Sequence, residues 1–424
     1  MACHIAALCG HRRDAPPFSG HLGAHAPRID HPRTNRLAIR VPSSGCRTAP
    51  RRIAVPTEDL SPHHAGFSPG GHPNLFLPRQ SAFSIDTARL PGRLSVSISC
   101  LYLMPTLRCN SRCTYCYIPK QFPEADDKSE SLFRGLAQFI RETKPGSTPF
   151  SPQIRFIGGE PYLARETMQS LGQQFLESFP GQLVVVNSNA TLLSREDVHF
   201  WRGLPGWVVH IVSLDGPAHV HDRRRVLAGG QGTFKKVISG IRLLKTAGLE
   251  VWCNMVLDRE SGNSIDSFFR FIRDELGMRE LSVSLVSRAA YWKNPEEQWT
   301  LLETAYEAAA RFELTLTGHH RLYAGLSIPG LRCRAGEKTL LLAPDGRLYA
   351  CQRFVGKTSG IPYTSTMSLA THRAGLETSA VCVDESFVSL GEKLCSLYRD
   401  RFPSYLTVSR LDRIFFGVIQ EEDP

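Results

Sequence analysis

No stretch of this 424-residue chain approaches the roughly 20 uninterrupted apolar residues that a membrane-crossing helix needs, so no membrane partner is expected. A secretory signal is missing too, because residues 1–20 are interrupted by His11, Arg12, Arg13, Asp14, Pro16 and Pro17. The expected location is therefore the cytoplasm. Most of the chain also lacks a basic excess. The net charge is +10, but residues 1–94 hold 12 Arg, no Lys and 5 Asp or Glu. That segment accounts for +7 (12 − 5) and leaves +3 (10 − 7) for everything after it. Charge confined to one end does not describe a nucleic-acid-binding surface, and no nucleic-acid partner is expected. The same 94 residues lack sustained apolar periodicity and carry 12 of the 28 prolines and 8 of the 15 histidines. Such a composition does not build a core, so 1–94 is read as a disordered segment. Its histidines, never more compact than His63-His64, are given no metal role.

From about residue 94 onward the pattern changes. Strand-like stretches at 94–104, 153–157, 183–186, 208–214, 250–257 and 281–286 alternate with helical patterns at 129–143, 167–179, 194–202, 233–247 and 264–276. This alternation predicts a parallel sheet with its crossover helices outside. About six βα units fall short of the eight in a closed barrel, so the expected fold is α/β, an open, partial (β/α)6 barrel. Residues 292–316 read as a long helical segment, and 331–352 carry short strands around the turn Pro344-Asp345-Gly346. The expected organisation is a disordered segment at 1–94, a core at 95–290, a helical connection at 291–325 and a small cysteine-bearing domain with a tail at 326–424.

Twelve cysteines in a reducing compartment call for a role other than structural disulfides. Three of them, Cys109, Cys113 and Cys116, sit in LYLMPTLRCNSRCTYCYIP directly after the first strand, spaced C-x3-C-x2-C. Thiolates are soft ligands for iron–sulfur clusters or zinc, and close spacing lets one loop wrap a cluster. Zinc loops commonly use cysteine pairs followed by a second pair, which this spacing lacks. Three ligands on a four-iron cluster leave one iron open to a substrate or cosubstrate. Zinc completed by a distant histidine or cysteine stays as the alternative.

Cys109-x3-Cys113-x-Tyr115-Cys116, with its aromatic before the last cysteine, resembles the signature of radical S-adenosylmethionine (radical SAM) enzymes. Gly158-Gly159-Glu160-Pro161 resembles that family's GGEP motif, in which glycines allow close backbone approach and a carboxylate receives the methionyl ammonium. Asn187-Ser188-Asn189-Ala190-Thr191 is similar to its TNGT segment, with Ala190 in place of the glycine. Ser213-Leu214-Asp215-Gly216-Pro217, His221-Asp222-x2-Arg225 and Gly232-Thr233-Phe234 resemble a run found in peptide- and protein-modifying members. The resemblance spans about 95–290. It implies a catalytic 4Fe–4S cluster on Cys109, Cys113 and Cys116, with S-adenosylmethionine contacted by Gly158, Gly159, Glu160, Pro161, Ser188, Ser213 and Arg225. It also implies one-electron cleavage of that cosubstrate to a 5′-deoxyadenosyl radical, which abstracts hydrogen from a substrate. No residue is singled out as the catalytic acid or base.

Cys333, followed by Gly346-x4-Cys351, resembles the opening of a SPASM domain or its shortened twitch relative, both of which hold auxiliary clusters. No C-x2-C pair comes after it, so one auxiliary 4Fe–4S cluster is expected, with Cys382 and Cys395 as further ligands. Cys100 and Cys253 read as core residues. The resemblance implies an oxidoreductase that matures a peptide or protein, supplied with electrons by a reductant such as a flavodoxin or ferredoxin. No leader-peptide-binding domain is legible near the N-terminus. A small-molecule substrate and formylglycine generation on a sulfatase remain as alternatives within the family, and a non-catalytic zinc-binding protein as one outside it.

Overall fold

The computed structural model describes residues 98–118, 129–146, 151–286, 292–326, 335–355, 360–374, 376 and 385–416. These all belong to the unit Gly71–Pro424. The segment 1–94, Cys333 and Cys382 lie outside the described residues.

The expected alternation is present. The chain runs β1 (Cys100–Leu103), α1 (Ser129–Glu142), β2 (Gln153–Phe156), α2 (Arg165–Ser178), β3 (Leu183–Ser188), α3 (Arg195–Arg202) and β4 (Trp207–Ser213). It continues through α4 (Ala218–Arg224), α5 (Phe234–Thr246), β5 (Glu250–Leu257), α6 (Ile265–Asp274), β6 (Glu280–Leu285), α7 (Pro295–Arg311) and β7 (Thr315–Thr317). Local chemistry starts the helices where chain direction must change. Ser194 and Asp197 form a reciprocal capping box on α3, and Asn294 caps α7 ahead of Pro295.

Strands β1 to β7 pair in chain order, each parallel to the next. A sequential order without reversal is that of a barrel arc, in agreement with the expected partial barrel. The helical segment expected at 292–316 ends earlier, at Arg311. Glu313 takes a left-handed conformation (φ 52°), which breaks the helix, and the β-branched Thr315 and Thr317 then extend the sheet. Beyond 326, β8 (Thr339–Leu342) joins the other edge, parallel to β1, and β9 (Arg347–Tyr349) and β10 (Ile361–Pro362) are added antiparallel. One ten-stranded sheet therefore runs through both expected domains.

Both faces of the arc are covered. On β3, Leu183, Val184, Val185 and Val186 are all fully buried, the continuous apolar run expected of a parallel strand. Val184 and Val186 pack outward with Phe175 and Trp201, beneath the helices. Leu183 and Val185 pack inward with Val209, Ile211, Trp252 and Ile414. The last of these comes from the end of the chain, where α8 (Leu369–Ala374) and α9 (Glu385–Arg401) lead to α10 (Arg410–Phe416). That helix plugs the inside of the arc, held by the buried pair of Arg321 and Asp412. No helix among the described residues is long and apolar enough to cross a membrane.

Candidate active site

The three cysteines leave β1 on a loop that the rest of the arc clamps from two sides. On one side stands the glycine pair after β2. Gly159 N donates to Thr106 O (3.0 Å) and Glu160 N to Arg108 O (2.9 Å). A Cβ on Gly158 would lie 2.5 Å from Thr106 O, and one on Gly159 only 2.0 Å from Arg108 O. The glycines are therefore needed for the cysteine loop itself to dock, a constraint the sequence had assigned to ligand approach. On the other side, Arg112 N bonds Val226 O (2.7 Å), Thr114 N bonds Arg224 O (3.0 Å) and Ala228 N bonds Asn110 O (2.9 Å). The loop is thus zipped along the segment after α4.

That segment belongs to a buried charge network. Asp215, fully buried after β4, accepts from Arg225 Nε (2.8 Å) and Nη2 (3.3 Å), from Val256 N (3.1 Å) and from the Tyr115 hydroxyl. Burial opposes its charge, but Arg225, Arg224 and His221 overcome that and hold the carboxyl down at about 2. Arg224 and Arg225 both lie over the Tyr115 ring, at 4.8 and 5.3 Å. The aromatic before the last cysteine is accordingly an anchor. His221 Nδ1 accepts from Asp215 N (3.2 Å), so its Nε2 carries the proton and faces Thr233 Oγ1 (2.9 Å), which in turn donates to Arg225 O (2.8 Å). Asp222 accepts from Phe234 N (2.8 Å) and starts α5. The His221-Asp222-x2-Arg225 and Gly232-Thr233-Phe234 motifs are one scaffold.

Glu160 ties the third element in. Its buried carboxylate accepts from Tyr162 N (3.1 Å), Ser188 Oγ (2.8 Å) and Asn189 N (2.7 Å). Desolvation raises its pKa to about 7, against the pull of these bonds. Asn189 then reaches the cysteine loop, bonding Asn110 Oδ1 (2.9 Å) and Ser111 Oγ (3.2 Å). Ala190 stands at φ 54°, a left-handed position where the resembled motif has glycine.

These elements enclose a cavity of about 240 Å³ at the C-terminal ends of the strands. Its walls include Cys109, Cys113, Cys116, Gly158, Gly159, Ser188, Ser213 and Arg225. Glu160 and Pro161 stand behind the wall instead of in it. Sequence reasoning passed over Asn189, Asn254 and Ser284, which also line the cavity. Only Asn189 had a signal, its place in a quoted motif. The second cysteine group divides. Cys351 lies two residues beyond β9, beside Gln352 and Arg353, which line the same cavity. Cys395 is 6% exposed on α9 and packs in the core with Leu394 and Tyr398, a different cluster from the one Cys351 touches.

The residues present fit a metal–sulfur group. Donors are aimed at the sulfurs: Ser111 N lies 3.4 Å and Asn189 Nδ2 4.0 Å from Cys109 Sγ, and Arg225 Nη1 lies 3.8 Å from Cys113 Sγ. No three His, Cys, Asp or Glu side chains among the described residues converge as a single ion requires. A four-iron cluster takes its three thiolates on three different irons, so its ligands stand apart.

The buried histidines give this scaffold a definite pH response. Burial first of all lowers the pKa of His221 to about 4 and of His210, His319 and His320 to about 3. In the unfolded chain each titrates near 6.5, so unfolding takes up protons below that pH. Glu160, raised to about 7, and Glu280, also raised by burial, act oppositely and lose stability as pH rises above about 4.5, but they are two groups against four. The unfolding free energy measured in urea is expected to fall as pH drops from 6.5 towards 4; a flat or rising profile would contradict the buried, neutral assignment.

A three-cysteine loop held at the C-terminal mouth of a sequential parallel arc defines an enzyme class that builds its site from the loops after the strands. Residues 103–272 match the model of the radical SAM superfamily. Among curated proteins it is 24% identical over 184 residues to the cysteine-type anaerobic sulfatase-maturating enzyme of Clostridium novyi, covering 42% of this chain and 49% of that one. It is 32% identical over 177 residues to the GTP 3′,8-cyclase of Cronobacter sakazakii, covering 41% and 51%. The chain thus spans about half the length of these relatives. Among solved structures, native anSMEcpe with bound AdoMet and Cp18Cys peptide is similar at a TM-score of 0.54 and 19% identity, covering 71% of this chain and 87% of that one. At that identity the likeness concerns the fold.

Proposed function

We propose that this chain is a radical SAM maturase that abstracts hydrogen from a peptide or protein side chain. The observation that carries the reading is the docked loop: Cys109, Cys113 and Cys116 line one cavity, with nitrogen donors directed at two of the sulfurs. These three thiols would hold a 4Fe–4S cluster. When bound, the cluster and S-adenosylmethionine would supply a 5′-deoxyadenosyl radical after one-electron reduction by a flavodoxin- or ferredoxin-like donor. Ser188, Ser213 and Arg225 line the cavity and would present polar atoms to the cosubstrate, and Glu160 acts from behind by fixing Ser188 and Asn189. Val256 and Leu285 contribute apolar wall that would limit water around a bound cosubstrate.

A peptide substrate is supported by the sulfatase-maturating relative and by the peptide in the similar structure. Formylglycine formation is one reaction of this class. The cyclase relative makes a small-molecule substrate the second reading. Cys351, beside the cavity, is proposed to hold an auxiliary cluster together with Cys333, with Cys382 as a further ligand; the core packing of Cys395 favours it least.

Anaerobically reconstituted protein is expected to be brown, with roughly four irons per chain for one cluster and about eight for two. Under reduction it should release 5′-deoxyadenosine, and Ala at Cys109, Cys113 and Cys116 should abolish that release. Colourless protein with stoichiometric zinc would sink the reading. Mass spectrometry of a co-expressed candidate peptide tests the substrate class: a defined mass shift, such as loss of two hydrogens, supports maturation.

A further inference from the structure

Arg225 uses its guanidinium in two directions. Nε and Nη2 bind Asp215 in a fork at 2.8 and 3.3 Å, and Nη1 points to Cys113 Sγ at 3.8 Å. Neither partner is free to drift. Asp215 is fully buried and also accepts from Val256 N and the Tyr115 hydroxyl; Arg225 is 8% exposed and stacked on the Tyr115 ring. Thr233 holds the Arg225 carbonyl as well. Tyr115 itself lies between Cys113 and Cys116, so the carboxylate is tied both to the donor and to the loop carrying the acceptor.

We propose that Asp215 is a positioning residue that, through Arg225, fixes a guanidinium donor on the Cys113 sulfur and so raises the reduction potential of the cluster. This rests on the reading of the three cysteines as cluster ligands. A donor on a ligand sulfur stabilises the additional negative charge of the reduced cluster, and the effect depends on orientation as well as on charge. Arg225 cannot be replaced here by a bare positive charge, because only the planar fork can satisfy Asp215 and reach sulfur together.

The sign of one substitution separates positioning from plain electrostatics. Removing a buried negative charge near a cluster would by itself make the cluster easier to reduce. Losing an oriented donor makes it harder. The test is an EPR-monitored redox titration of reconstituted protein without S-adenosylmethionine, which excludes any effect through cosubstrate binding. Asp215→Asn is expected to shift the midpoint to more negative values, and Arg225→Gln to shift it the same way. A positive shift for Asp215→Asn, or an unchanged midpoint for Arg225→Gln, overturns the proposal. Iron content is read in parallel. If wild-type protein holds no iron, the cluster reading itself fails; if Asp215→Asn alone loses iron, Arg225→Gln and Arg225→Lys decide. Lys keeps the charge without the fork, so a wild-type midpoint in Arg225→Lys counts against the proposal and a negative shift supports it.

Discussion

Gly159→Ala is expected to leave the protein folded but nearly without iron. The added methyl would stand 2.0 Å from Arg108 O, 2.5 Å from Arg108 C and 2.6 Å from Leu107 O, all of them backbone atoms that cannot rotate away. Overpacking of this kind ordinarily costs about 1–3 kcal/mol. Here the yielding part is the loop that carries Cys109, so the strain is relieved by displacing a ligand. The Glu160 N to Arg108 O bond would go with it. Reconstituted Gly159→Ala should hold few irons and release no 5′-deoxyadenosine. Gly248→Ala is the control: its φ of +75° makes alanine unfavourable by about 1 kcal/mol, yet nothing lies within 4 Å of the new atom. It should lose some stability and keep its iron. Full iron content in Gly159→Ala would falsify the docking role of the glycine pair.

Asp412→Ala is expected to lower the unfolding free energy by about 3–5 kcal/mol, measured by urea denaturation at neutral pH. Arg321 and Asp412 are 1% and 0% exposed and meet in a bidentate pair at 2.7 and 2.8 Å. Removing the carboxylate leaves a buried guanidinium whose remaining partners among the described residues include the carbonyls of Tyr405 and Thr407 and the rings of Tyr398 and Tyr405, none of them carrying a balancing charge. Thr317 and Ser409 lose their acceptor too. Because α10 carries Ile414 into the arc, the loss should loosen the inner packing around Trp252 as well. The double variant Arg321→Met/Asp412→Leu should recover most of the stability, since a buried pair often gives little net gain over apolar residues of similar volume. A cost below about 1 kcal/mol for Asp412→Ala, the value of an exposed pair, would contradict a buried, unscreened interaction.

The order of the parallel strands was legible because strands buried on both faces leave continuous apolar runs, as in Leu183 to Val186, and the helices between them carry caps such as Ser194. The early end of α7 was not. A helical pattern runs on past Arg311, and only the backbone at Glu313 interrupts it. Nor was the pairing of β8 with β1, whose partners Cys100 and Thr339 are brought together by the whole arc and not by any local pattern. Similarly, the glycines of the Gly158-Gly159 pair were recognisable as a need for close approach, but what approaches is the main chain of the cysteine loop.

By itself, the sequence determined which thiols share a loop, which motifs come after them and in what order the strands run. Those are short-range properties, set by spacing along the chain and by side-chain periodicity. Tertiary structure decided what each motif does. Arg225 meets Cys113 across 112 residues, Asn189 meets Asn110 across 79, and Asp412 meets Arg321 across 91. Contacts at such separations are selected by the packing of the arc, which closes loops that no local preference could close.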